Sequence, residues 1–198
     1  PFDALLADYA GIAFDRQTFA LDRLGEHDFS WDLDAGRITL AGNTYRMQAL
    51  GTTSEVDNTW QWAWAPTDQP LPPPVLVDAR RVQSFGKSRS VPALTEAVLP
   101  LSEHDPVALS LIAAGLTNAH MYYRIPFEGG ALYALVNDPA FGRPTESPAK
   151  RLPRVFPRLL ETVKVHARRA LIAYMRALGM EVTEEAGRVV GKLRGETV

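Results

Sequence analysis

Large apolar residues alternate with small or polar ones around residue 60. Trp60, Trp62 and Trp64 occupy every second position, and in a β-strand every second side chain points to the same face. In a helix the same spacing would spread the three rings around the axis. The alternation therefore predicts a strand with its indoles aligned. Because each buried indole removes roughly 150–250 Å² from water, we expect the core to form against that face.

The residues before this strand change from helical to alternating periodicity. Apolar positions over residues 3–24 recur at helical spacing, and Gly25 is a typical residue to end the helix. Short alternating runs follow, separated by the turn sequences Asp34-Ala35-Gly36 and Gly42-Asn43. They predict strands over residues 29–33, 37–41 and 44–50. Together with the tryptophan strand they form a predicted four-strand antiparallel meander.

The middle of the chain predicts a connector, two helices and a hairpin. Five prolines between residues 66 and 74 exclude a central strand or a helix interior, so this segment is predicted to cross the surface. One helix is predicted over residues 75–85, ending near Gly86. A second is predicted over residues 106–118, where Asp105 offers an N-cap and Pro106 is a favourable first-turn residue. Residues 120–127 and 131–136 predict a hairpin.

The C-terminal part predicts a loop, a long helix and a second hairpin. Four prolines over residues 138–153 indicate a loop. Residues 154–178 predict the longest helix, with apolar residues on one side and a basic face opposite, formed by Arg154, Arg158, Arg168, Arg169 and Arg176. Gly179 ends it. Residues 180–198 predict a final hairpin, turning near Ala186 and Gly187, and a tail.

These elements predict a single domain over residues 1–198 with an α+β fold. We expect an antiparallel sheet of about six to eight strands, made from the meander and hairpins, with helices packed mainly on one face. A chain of 198 residues, 46% of them hydrophobic, can bury a full core without disulfides or metals. It has no cysteine, no apolar run of about 18 residues and no secretory pattern at its start. A cytoplasmic location is therefore expected.

Charge is distributed unevenly along the chain. From residue 143 onward there are 12 Lys and Arg against 6 Asp and Glu, whereas the preceding residues carry 9 against 17. The net charge is only −2, but the molecule is dipolar. Such a distribution can steer a charged partner, although many ordinary soluble proteins share it.

The chain resembles an uncharacterised family of bacterial domains of unknown function. The likeness rests on Gly51-Thr52-Thr53-Ser54-Glu55, followed by the Thr-Trp-Gln-Trp-Ala-Trp segment that starts at Thr59, and on the Phe-x-Trp-x-Leu-Asp-x-Gly pattern over residues 29–36. It extends over most of the chain, to about the last helix, and is weaker over the C-terminal hairpin. The resemblance implies a bacterial, cytoplasmic protein and supplies no catalytic residues.

The histidines and polar motifs favour structural roles. The Glu-His-Asp triplets around His27 and His104 contain metal-ligand residue types, but they lack a ligand spacing, and Asp105 is explained as an N-cap. His120 and His166 are more typical of hydrogen-bonded structural histidines. Ser54 lacks a nucleophile-elbow sequence, and phosphate-binding glycine motifs are absent from the sequence. We expect no metal, no cofactor and no catalytic residues.

Two functional hypotheses follow from the excess of aromatic residues. The first is a non-catalytic protein-interaction or chaperone-like module, whose partner is another protein or a second copy of the chain. The second is a small-molecule-binding protein or hydrolytic enzyme with an aromatic pocket near the tryptophan strand, lined by Trp60, Trp62, Trp64, Tyr122 and Arg124. The basic face is expected to be solvated rather than to bind phosphates. Because the pI is about 6.1, nucleic acid is an unfavourable partner, and a membrane is not expected.

Overall fold

The computed structural model describes residues 1–185 and 187–193, and over them it confirms the predicted α+β fold. Its helices are α1 (Phe2–Leu24), α2 (Val77–Arg89), α3 (Pro106–Thr117), α4 (Pro148–Thr162) and α5 (Ala167–Ala177). Its first five strands are β1 (Phe29–Asp32), β2 (Arg37–Leu40), β3 (Asn43–Ser54), β4 (Thr59–Trp62) and β5 (Val98–Pro100). The others are β6 (Met121–Phe127), β7 (Gly130–Val136), β8 (Met180–Glu185) and β9 (Arg188–Leu193).

Strand β3 organises an antiparallel seven-stranded sheet. Its first four residues pair with β2, and its last four pair with both β4 and β7, which therefore lie on opposite edges of it. Strand β5 extends the sheet beyond β4, β6 pairs with β7, and β1 pairs with β2 at the end of the order. Strands β8 and β9 form a separate hairpin. The predicted meander and both predicted hairpins are thus present.

The tryptophan strand carries the core as predicted, but it is shorter than expected. Trp60 and Trp62 are 0% and 1% exposed and pack with residues of α1 and α3, such as Leu6 and Ile112. The strand ends at Trp62, so the prediction that Trp64 continues it is wrong. The Ala63 N–H donates to Leu50 O, and the Ala65 N–H donates back to Trp62 O, which closes a turn.

The other face of the sheet has its own apolar cluster. Met47 and Leu132 lie there, together with Ile38 of β2. The end of α1 and the short 3₁₀ turn before α2 cover this cluster through Ala20 and Val75. The connector over residues 66–72 crosses the same side of the sheet, where Leu71 packs against this cluster. Both faces of the sheet are therefore partly covered.

The predicted helix ends are confirmed where the capping residue is next to the helix in the sequence. Gly25 follows α1 at φ 61°, a conformation that glycine adopts without strain. The Asp105 carboxylate accepts a hydrogen bond from the Val107 N–H at 2.8 Å, and Pro106 is the first residue of α3. The predicted end at Gly86 is wrong, because this residue lies inside α2. A Cβ there would come within 2.5 Å of Leu94 Cβ, so Gly86 permits close packing.

The single helix predicted over residues 154–178 is two helices. Helix α4 starts at Pro148, so the loop predicted over residues 138–153 extends only to Ser147. Pro153 and Pro157 lie inside α4, which buries Val155 and Leu159, whereas Leu160 of the predicted apolar side is 40% exposed. The proline rule failed here because tertiary burial of one helix face outweighs the lost backbone hydrogen bonds.

His166 is the N-cap of the second helix, α5. Val163 is extended, which ends α4. The His166 imidazole accepts a hydrogen bond from the Arg169 N–H at 3.3 Å and caps the new helix. Gly179 follows α5 with φ 82° and leads into the β8–β9 hairpin. Of the turn predicted there, Ala186 lies outside the described residues, as do residues 194–198 of the tail. Among the described helices, none has the length and apolar character to cross a membrane.

Candidate functional site

The helix-facing side of the tryptophan strand is occupied by packed side chains. The Trp60 ring meets Trp62 edge-on at 5.3 Å between centroids and lies 5.2 Å from Tyr133. The Trp62 Nε1–H donates to Ala93 O at 3.0 Å. Trp64, in the turn, stacks on Trp62 with an interplanar angle of 14°. These three indoles therefore form a wall of the core.

Tyr133 of β7 connects the other predicted site residues to this wall. Tyr122 stacks on Tyr133 at 6.5 Å between ring centroids, and Arg124 lies opposite Tyr133 in the strand register, where its charge opposes the burial that raises the pKa of Tyr133. Burial raises the pKa of Tyr122 to about 12. Trp60, Tyr122 and Arg124 are thus brought together around Tyr133, a residue that sequence reasoning missed. Both tyrosines are neutral near pH 7 and act as packing and hydrogen-bonding groups.

An open apolar groove lies on the opposite face of the same strands. It has a volume of about 260 Å³. Its apolar lining is formed by Trp31, Leu33, Trp62, Ala63, Leu71, Phe127 and Leu132, so it includes the predicted site residue Trp62, and its polar lining is formed by Thr52, Gln61, Thr67 and Gln69. We refer to the space bounded by these residues as the apolar groove. It combines an apolar and aromatic lining with a few polar groups, which is the usual composition of a binding site.

Three neighbouring strands make the floor of the apolar groove. Thr52 of β3 lies between its register partners, Gln61 of β4 and Leu132 of β7. One wall is the proline-rich connector, whose prolines keep it extended so that Thr67 and Leu71 lie over the sheet. The other side is bounded by β1 and the end of β6. The groove therefore depends on segments that are distant in sequence.

The sides of the apolar groove expose large aromatic residues. Trp31 is 46% exposed and Phe127 48% exposed. Phe29, the previous residue on the same face of β1, is 40% exposed and contacts Tyr123 at 5.4 Å between ring centroids. A single exposed apolar side chain is normal, whereas these three aromatic residues form a group beside the groove. The Phe-x-Trp-x-Leu alternation signalled a strand face, but it did not show whether that face was covered.

Acidic residues flank the groove-lining residues in the sequence, and we refer to them as the acidic rim. Four exposed carboxylates stand next in sequence to residues that line the groove: Asp32, Asp34, Asp68 and Glu128. Among the described residues that line the groove, none is ionisable. The groove lining therefore offers hydrogen-bonding and apolar contacts, and the segments that supply it also carry exposed carboxylates.

The predicted basic face is divided between α4 and α5, and three of its five arginines bind carboxylates. Arg154 pairs with Glu146 at 2.9 Å, and Arg168 with Glu184 at 3.0 Å. The Arg169 Nε and Nη2 groups donate hydrogen bonds to the two carboxylate oxygens of Asp8, each at 2.8 Å. Arg158 and Arg176 are exposed. These residues therefore do not form the continuous row of free cations that the single-helix prediction implied.

The histidines have local partners. His27 contacts Gly25 O at 2.7 Å and the Tyr123 hydroxyl at 3.1 Å, and His104 meets the Phe2 ring edge-on. His120 hydrogen-bonds Asn137 at 3.1 Å, and burial lowers the pKa of its imidazole. Within residues 1–185 and 187–193, no group of three or more acidic, histidine or cysteine side chains is arranged to hold a metal ion.

The part of the chain that contains the sheet and α1–α3 matches the model of a known family. The model of a family of unknown function (DUF6882) matches residues 3–139. The chain belongs to this family. The match includes all seven strands of the sheet and every residue that lines the apolar groove, and it ends before α4. It covers most of the chain, as the resemblance predicted, and ends before the last predicted helix. Comparison with curated proteins and with solved structures found no match.

Proposed function

We propose that the chain is a non-catalytic interaction module that binds an extended segment of another polypeptide in the apolar groove and along β1. The observation that carries the proposal is the arrangement of Trp31 and Phe127. Both rings border the groove and each leaves nearly half of its surface in contact with solvent. Burying such rings against a partner would supply the main hydrophobic contribution to binding.

Strand β1 supports a polypeptide as the occupant. It pairs only with β2 within the described sheet, and its four residues are all exposed. An edge strand presents unpaired backbone groups that can hydrogen-bond an added strand, while neighbouring pockets take alternate side chains. The exposed surface continues past the groove to Phe29. An extended chain covers such a strip, whereas a compact small molecule fills only the groove.

The acidic rim defines the chemistry of that segment. Asp32, Asp34, Asp68 and Glu128 are exposed and next in sequence to residues of an apolar lining that has no cation. Opposite charge at a rim promotes association and selects partners more than it adds affinity. The preferred segment therefore has bulky apolar residues at alternate positions, flanked by Lys or Arg. A chaperone-like role fits such a surface if the segment belongs to an incompletely folded partner.

A small-molecule ligand remains the second candidate because the groove itself is concave and mostly apolar. Its volume of about 260 Å³ is slightly below the roughly 300–1,000 Å³ of typical ligand pockets. Its lining has hydrogen-bonding groups but no acid or base, so it fits binding better than hydrolysis. The bacterial and cytoplasmic setting implied by the sequence belongs to this proposal, and the partner would then be a cytoplasmic polypeptide.

Selection from a random peptide library displayed on phage tests the proposal. Enriched peptides are expected to carry alternating apolar anchors with flanking Lys or Arg, and their affinity is measured by calorimetry. Trp31→Ala and Phe127→Ala should each weaken binding by about tenfold or more, since anchor truncation commonly costs over about 1.4 kcal/mol. Leu160→Ala, at an exposed apolar position on α4, is the matched control.

The same selection distinguishes the other occupants. Peptides that bind equally well to Trp31→Ala and to the control would remove the apolar groove as the site. Concentration-dependent dimerisation that is lost in Trp31→Ala would identify a second copy of the chain as the partner. Failure to select any peptide, together with a small molecule that quenches tryptophan fluorescence in the wild-type protein but not in Trp31→Ala, would favour the second candidate.

A further inference from the structure

A second cleft, of about 280 Å³, lies at α1 on the side of α4 and α5. Three arginines from three different elements line it: Arg16 of α1, Arg143 of the loop before α4, and Arg151 of α4. The only carboxylate among its described lining residues is Asp15. The cleft therefore carries an excess of two positive charges.

Asp15 is fully engaged by Arg151. The two side chains form an ion pair at 2.7 Å, and they are only 2% and 10% exposed. Leaving either partner unpaired in this environment would be costly. Arg151 thus needs Asp15 as its counter-charge, and this one carboxylate is also the only one in the described lining that faces Arg16 and Arg143.

Arg16 is held in place by neutral groups. Its Nη1 donates to Asn118 Oδ1, and its Nη2 donates to Ala114 O at 3.2 Å. Within the described chain no carboxylate lies within ion-pair distance of it. Because Asn118 uses its oxygen for Arg16, its Nδ2 amide group stays available as a donor beside the cleft.

Arg143 adds a like charge to the same place. Burial and the nearby Arg143 lower the pKa of Arg16 to about 10. The same two arginines also contribute to the lowered pKa of His120. Several groups therefore experience a positive potential at this cleft. An anion placed among them would relieve that repulsion.

We propose that this cleft binds the phosphate group of a small phosphate monoester. Guanidinium forks match phosphate oxygens in geometry and form strong charge-assisted hydrogen bonds. The excess of two positive charges suits a dianion better than a carboxylate. Ile12 and Leu178 also line the cleft and offer an apolar surface for the organic part of the ligand. The site is separate from the apolar groove and does not depend on the function proposed for it.

Calorimetry at constant ionic strength tests this site with three ligands: inorganic phosphate, phenyl phosphate and benzoate. Phenyl phosphate should bind most tightly and benzoate most weakly. Arg143→Gln should weaken phenyl phosphate binding by about tenfold or more, which corresponds to the loss of one charge-assisted contact. Arg143 is exposed and forms no ion pair within the described chain, so the variant should fold. Arg158→Gln, the same change at an exposed arginine of α4, should leave binding unchanged.

Three results would overturn the proposal. One is that neither phosphate ligand binds to the wild-type protein at millimolar concentration. Another is that Arg143→Gln and Arg158→Gln have the same affinity for phenyl phosphate. The third is that benzoate binds as tightly as phenyl phosphate, which would show a preference for the aromatic ring over the dianion. The proposal is supported if phenyl phosphate binds most tightly and benzoate most weakly, and if Arg143→Gln weakens binding while Arg158→Gln does not.

Discussion

Gly51 of β3 lies against the indole of Trp60, so close that a Cβ on residue 51 would overlap the ring. The same Cβ would stand only 2.7 Å from Gln61 O. Glycine usually weakens a strand interior, and its presence there often marks a close approach. At this position it allows the largest core side chain to lie flat on the central strand. Gly51 and Trp60 are therefore one packing unit.

Gly51→Ala is expected to destabilise the fold by about 1–3 kcal/mol or more, because the added methyl group overpacks the core. Denaturant unfolding measures the change in free energy. In a Trp60→Phe background the same substitution should cost less, since the smaller ring leaves room for the Cβ. A double-mutant cycle gives this coupling directly. Equal costs in both backgrounds would show that the contact with the ring is not the cause.

Trp60 and Trp62 should respond differently to substitution by Phe. The Trp62 Nε1–H donates to Ala93 O, whereas the buried Trp60 Nε1–H has no partner among the described groups. Trp62→Phe loses a hydrogen bond and leaves a buried carbonyl unsatisfied, which adds about 1–3 kcal/mol to the packing loss. Unfolding free energies of the two variants should therefore rank Trp62→Phe as the more damaging. The reverse order would contradict the hydrogen-bond assignment.

The Asp15–Arg151 ion pair is expected to be important because it is buried. Asp15→Asn should cost about 3–5 kcal/mol, since it leaves the Arg151 charge without its partner. Replacing both residues by apolar ones, as in Asp15→Leu with Arg151→Met, should cost less than the single change. Glu146→Gln breaks the exposed pair with Arg154 and should cost no more than about 1 kcal/mol. Equal effects at the buried and exposed pairs would disprove this ranking.

His120 should make stability depend on pH. Burial, together with Arg16 and Arg143, lowers the pKa of His120 below its usual 6.5, against the opposing effects of Asn137 and Asp138. The folded protein therefore prefers the neutral ring. Its contribution to stability is complete above pH 6.5 and is lost as the pH falls through the folded-state pKa. Unfolding measured from pH 7.5 to 5 should show a slope that His120→Gln reduces. If the slope of unfolding free energy against pH is unchanged in His120→Gln, the pH dependence comes from other groups.

The sequence predicted the features that depend on neighbouring residues. The alternation at Trp60 and Trp62 identified β4 and its buried face, and Asp105 with Pro106 located the start of α3. Both features depend on interactions between residues close in sequence, so distant packing has little effect on them. The ends at Gly25 and Gly179 are right for the same reason.

The features that failed depend on distant packing. Pro153 indicates a loop locally, but burial of Val155 and Leu159 keeps α4 helical around it. The apolar groove was also beyond local patterns, because its wall comes from a connector that folds over strands distant in sequence. Trp31 was recognised as a strand residue, and only the fold shows that it stays exposed. The aromatic pocket predicted beside the tryptophan strand stays a prediction: of its residues, Trp62 lines the apolar groove, whereas Trp60 is packed in the core.

The most direct test of the proposed interaction site is NMR titration of the tryptophan indole N–H resonances with a selected peptide. The sequence has four tryptophans, so each resonance can be assigned by substitution. We expect the Trp31 signal and the Gln61 side-chain amide to shift on binding, while Trp60, buried on the other face, stays unchanged. Binding that shifts Trp60 or leaves Trp31 unaffected would contradict the account.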